Sequence, residues 1–166
     1  VKRGQAEPLT VKVLSRSDYL AVVLVRQQTY RVQLESVMQE MAEAQDGAGQ
    51  WEQTRRSSAA STRSVAEGYD SILRELWHNR IIRQDARDRY REGIVRALWG
   101  LVGNGGALAP AAQDDSSSRA AQALVVLRDV RDRMLLLEQY AGLISTVESL
   151  IQRQEEIIEK TQQEPQ

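Results

Sequence analysis

One apolar stripe constrains this chain more than any other feature. Stepping by alternate threes and fours from Leu20 gives Val23, Gln27, Tyr30, Leu34, Val37, Met41 and Ala44, and only Gln27 among them is polar. A mean step of about 3.5 residues keeps one face of an α-helix turned toward a partner helix. A strand would alternate every second residue, and a loop has no reason to repeat. The spacing predicts a first helix over residues 17–45, about 43 Å long at about 1.5 Å per residue. Ser15 or Ser17 can cap its start, and Asp18 sits where the helix dipole favours an acid. The Asp46-Gly47-Ala48-Gly49 stretch stops it. A helix that is apolar on one side must be covered by another element.

The rest of the chain supplies the covers. Val65, Tyr69, Ile72 and Leu76, widened by Leu73 and Trp77, predict a second helix over residues 51–79. Its first part is ambiguous, because residues 54–64 hold no large apolar side chain and read as a solvated helix with a small-residue face or as a loose connection. Tyr90, Ile94, Leu98 and Leu101, with Ala97 beside them, predict a third helix over residues 85–102. Residues 103–118 are Gly, Ala, Asp and Ser around Pro110 and read as a mobile loop. A fourth helical region starts at Ser117 or Ser118 and reaches Gln163. Ala123, Leu127, Val130, Met134 and Leu137 keep one register there, and Tyr140, Ile144, Val147, Ile151, Gln154, Ile158 and Thr161 keep another. The change of phase predicts a kink, a local change in supercoil or a change of packing partner between Leu135 and Gly142.

At the other extreme, Leu9, Val11 and Val13 alternate with Thr10 and Lys12 after Pro8, which is the period of a short strand. A lone strand finds no pair here. Residues 1–14 therefore read as an extended linker or the remnant of an upstream domain, in keeping with a chain that begins at Val1. Residues 164–166 read as a frayed tail. The expected fold is all-α: an elongated antiparallel helical bundle or coiled coil of three to five helices, with a short N-terminal strand or linker.

Composition removes much chemistry. The chain has 166 residues, no Cys and one His, which excludes thiol catalysis, disulfides and Cys-type zinc sites. Its 22 basic and 23 acidic residues create no field that would gather nucleic acid or anionic lipid. No apolar run reaches the length of a membrane helix, and no signal peptide is visible.

Three side-chain groupings are candidate sites. Glu75 and His78 stand in Glu-x-x-His spacing, which puts a carboxylate and an imidazole on one helix face toward a metal. Di-iron bundles need two such pairs and two further carboxylates. One His cannot complete that set in a single copy, and a His at a helix end already complements the dipole. Arg80, Arg83, Arg87, Arg89, Arg91 and Arg96 face Asp85, Asp88 and Glu92 and could touch phosphates, yet the mixed signs read as a solvated, ion-paired face. Trp51, Trp77 and Trp99 could line a ligand pocket and read more simply as filling for the bundle core or its ends. No nucleophile, base and oxyanion donor can be assembled, so no catalytic residue and no cofactor is expected.

Four stretches together resemble a known family: Leu9 to Ser15, Arg26 to Met38, Tyr69 to Ile81 and Arg133 to Thr161. They resemble the C-terminal helical regions of large uncharacterised envelope-associated proteins of planctomycete type. In such proteins the helices follow β-sandwich-like segments, so the resemblance implies an envelope location and assigns no activity.

These readings converge on a non-catalytic structural or protein-interaction module. The expected interaction stripe is Leu20, Val23, Tyr30, Leu34, Val37 and Met41, with Ile144, Val147, Ile151 and Ile158 on the last helix. The expected partner is a protein, with self-association favoured if the first and last helices overhang the middle pair. The alternatives are a metal site at Glu75 and His78, or a weak nucleic-acid or anionic-surface contact through the Arg-rich helix.

Overall fold

A computed structural model describes residues 15–46, 50–110 and 115–163. Among the described residues all regular structure is helical. Helix α1 spans Arg16–Asp46 and α2 spans Trp51–His78. A third rod runs from α3 (Gln84–Tyr90) through a π-helical stretch (Arg91–Arg96) into α4 (Ala97–Val102). Helix α5, Ser116–Gln163, is 48 residues long, about 72 Å.

The four rods pack antiparallel. Arg26 and Glu40 of α1 meet Glu75 and Ser58 of α2, so the pairing runs in opposite directions. Arg16 and Arg31 of α1 meet Glu148 and Glu138 of α5 in the same reversed order. The α3–α4 rod covers the side of α2 and α5 that α1 leaves open. Leu20, Val23, Leu34, Val37 and Met41 lie at zero or one per cent exposure and meet a core built from all four rods. The first stripe is thus covered within its own chain.

The ambiguous first part of α2 is helical. Ser58, Ala59 and Thr62 are buried at helical spacing with Val65 and Ala66, so the small side chains form a face that lets neighbours come close. Ser58 Oγ donates a 2.7 Å hydrogen bond to Glu40 Oε2. Further along, a Cβ on Gly68 would overlap the Tyr30 ring, which meets Tyr69 edge-on at 6.3 Å.

Of the segment expected to be a mobile loop, residues 107–109 are packed into the bundle. Leu108 is 1% exposed. Its N–H donates to the Leu101 carbonyl at 2.8 Å, and its own carbonyl accepts from Arg55 Nη1 at 2.7 Å. Arg119 donates to the carbonyls of Gly106 and Ala109. A Cβ on Gly106 would strike the carbonyls of Gly100 and Leu101, which is why glycine stands there. One apolar side chain anchored by two arginines outweighs the composition around it. Residues 111–114, the strand expected at 9–13, the stop at 47–49 and the tail at 164–166 lie outside the described residues.

The expected break in the last helix is overturned on its buried face. Helix α5 runs unbroken through residues 135–142. Leu127, Val130, Met134, Leu137, Ala141 and Ile144 continue by threes and fours in one register, buried or half-buried. Ala141 is small enough to escape notice as a stripe position, and Tyr140 belongs to a different face. A Cβ on Gly142 would meet nothing within 4 Å. Gly142→Ala should therefore stabilise the protein by about 1 kcal/mol, since Gly costs about that much relative to Ala inside a helix. A lower thermal midpoint for this variant would contradict the unbroken helix.

Candidate interaction surface

The second face of α5 carries its own heptad. Leu136, Leu143, Leu150 and Ile157 recur every seven residues, and Tyr140, Val147, Gln154 and Thr161 fall four residues after each. All eight positions are exposed, Leu143 at 67% and Ile157 at 63%. This is the two-row seam of a coiled coil on which no helix among the described residues is laid.

Its exposure follows from unequal rod lengths. Helix α1 begins at Arg16, whose Nε reaches Glu148 Oε1 at 2.9 Å. Beyond that level residues 151–163 of α5 continue for about 20 Å, and every described side chain there is exposed. Closer to the bundle, Leu136 and Tyr140 form one wall of a groove whose other wall is Ile82, Ala86 and Tyr90. Arg83, Asp85, Arg89 and Arg133 complete its lining.

The structure divides the expected interaction stripe. Its α1 members are buried in the core, Tyr30 half so, while Ile144 is half-buried beside α1. Val147, Ile151 and Ile158 are exposed. The leucine row at 136, 143 and 150 and Ile157 were passed over, although the seven-residue spacing was legible. The reading that joined Tyr140 to Ile144 and Ile151 mixed the two faces of one helix.

Glu75 and His78 do not converge on a common point. Arg26 donates to both Glu75 oxygens, at 2.6 and 3.0 Å, and Ser71 Oγ adds a 3.0 Å bond. His78 is exposed at the end of α2, with its ring edge-on to Trp77 at 5.2 Å. Among the described residues no three His, Asp or Glu side chains cluster in a way that could hold a metal ion.

The Arg26 hydrogen bonds hold the Glu75 carboxyl below its usual range against a smaller opposing effect of burial. Arg55 and Arg56 likewise hold Glu52 down to about 2. A carboxyl depressed by folding stabilises the protein above its unfolded pKa near 4.5 and loses that contribution as pH falls toward the folded value. Urea midpoints should therefore drop between pH 5 and pH 3, and Glu75→Gln should drop less over that interval than the parent. An equal fall in both would show that Arg26 does not depend on the Glu75 charge.

The Arg-rich segment is largely engaged by its own neighbours. Arg87 lies 4.4 Å over the Trp77 ring and 2.7 Å from Asp88. Arg91 pairs with Asp70 and Arg96 with Glu92, each at 2.8 Å. Arg83 and Arg89 approach Asp85 at a looser 3.5 Å. The tryptophans share no pocket. Trp51 is buried under Arg119, Trp77 is half-buried, and Trp99 is 40% exposed on a shallow polar depression with Asp70 and Arg91. Trp99 thus departs from the expected core role, because it lies on the rim of that depression and not among the buried side chains of the bundle.

Comparison with protein-family models, with curated proteins and with solved structures finds no match. Among the described residues, no helix is long and apolar enough to cross a membrane.

Proposed function

We propose that this chain is a non-catalytic helical interaction module that pairs with another helix through the exposed seam of α5. The observation that carries the reading is an eight-position heptad, Leu136 to Thr161, left uncovered by the bundle. A monomer rarely exposes so long a contiguous apolar track without using it. Of the polar candidates, Glu75 is engaged by Arg26, and Arg87, Arg91 and Arg96 by neighbouring carboxylates. A scaffold role at the end of a larger envelope-associated protein agrees with the resemblance carried by residues 133–161.

Photocrosslinking in living cells tests the reading. A benzophenone side chain at Leu150 should give a discrete protein adduct, and the same group at exposed Ser57 of α2 should give none. Mass spectrometry of the adduct names the chain attached. No adduct from Leu150 removes the interaction reading altogether.

A further inference from the structure

We infer that the helix covering the α5 seam is the α5 of a second copy of this chain, laid antiparallel. The inference rests on the helix-pairing reading and adds the partner, the direction and the register. Area is the first argument. Leu136, Tyr140, Leu143, Val147, Leu150 and Ile157 lie exposed on the seam, with Ile151 and Ile158 along its edge. At about 100 Å² each they offer roughly 800 Å². That is about what each partner of a stable complex contributes, and more than the largest patch on most monomers.

The flanking residues select the direction. In an antiparallel pair the two rows interlock, so that Tyr140 packs on Ile157 of the second copy and Val147 on its Leu150. One edge then brings Ile144 to Ile151, both apolar. The other brings Thr146 to Arg153 and Gln139 to Lys160, all polar, with no like charges opposed. An in-register parallel pair instead sets Arg153 beside Ile158 and gathers Glu155, Glu156 and Glu159 of both copies at one end.

Charge at the tip agrees with the antiparallel choice. The overhang carries those three acids against Arg153 and Lys160, and the antiparallel register delivers it to the groove between α3 and α5. There Arg83 and Arg89 share Asp85 at 3.5 Å and are mostly exposed, while Arg133 is held by Asp129 at 2.8 Å. Each copy then covers the seam of the other, and the symmetry closes.

Light scattering and disulfide trapping on the purified full chain test this. The mass should be about twice 18.7 kDa. The double variant Leu143→Glu/Leu150→Glu should halve it while far-UV circular dichroism stays unchanged, both side chains being exposed. The chain has no Cys, so introduced thiols report cleanly. Tyr140→Cys and Ile157→Cys should form a mixed disulfide when combined, and neither should link to itself. Equal positions of the two copies stand about 25 Å apart in this register, far beyond disulfide reach. Self-linking of either variant would mean a parallel pair and overturn the proposal. A dimer that traps no mixed disulfide would overturn the register. A mass of 18.7 kDa at every concentration would overturn the second copy as partner. In that last case, a Leu150 photo-adduct on another protein would still preserve the helix-pairing reading, and its absence would end both.

Discussion

Leu137→Ala should cost about 3–4 kcal/mol of stability, while Leu136→Ala, one residue earlier, should cost under about 0.5 kcal/mol. The two side chains are the same and share a helix, so only their surroundings differ. Leu137 is fully buried against the core, and its truncation leaves a cavity that neighbours fill poorly. Leu136 is 59% exposed and loses little. Urea unfolding at low protein concentration, where association does not contribute, measures both. Similar losses from the two variants would show that the buried face of α5 has been assigned to the wrong register.

Glu138→Ala should cost about 2–3 kcal/mol, through an unpaired charge and not through a cavity. Glu138 is buried, and both its oxygens accept from Arg31 Nε at 3.0 and 3.2 Å. Arg31 is only one-fifth exposed and keeps Glu35 at 2.8 Å as a second acceptor, which softens the loss. Removing the carboxylate leaves a guanidinium that water reaches poorly. The double variant Arg31→Met/Glu138→Leu should recover most of the stability, because an apolar pair of similar volume has no desolvation cost. If the double variant is as unstable as Glu138→Ala, the defect lies in packing and the ion pair is incidental.

Local periodicity carried most of the fold. The α1 stripe from Leu20 to Ala44 predicted a helix over 17–45, and α1 spans Arg16–Asp46. The third helix began and ended within a residue of its expected limits, although no spacing announced the π-helical turn at Arg91–Arg96. Residues 54–64 were unreadable because their burial depends on closeness of approach, which small side chains permit and do not announce. The Glu75–His78 pair was legible as spacing. Its occupation by Arg26 was not, because that arginine lies 49 residues away.

The same limit governs the candidate surface. Two apolar rows on α5, Leu136, Leu143, Leu150 and Ile157 beside the Leu127-to-Ile144 stripe, are present in the sequence as repeats, yet spacing alone reads as one stripe that changes phase. It could not say which row the chain covers itself. Hydrophobic spacing is a property of one helix, whereas burial is a property of a pair, and the pair depends on where neighbouring rods stop. Here α1 begins at the level of Glu148 and the α3–α4 rod flanks the seam only near Leu136 and Tyr140. Tertiary structure therefore decided that one row became core and the other stayed open, because apolar surface is withdrawn from water only where another helix is present to meet it.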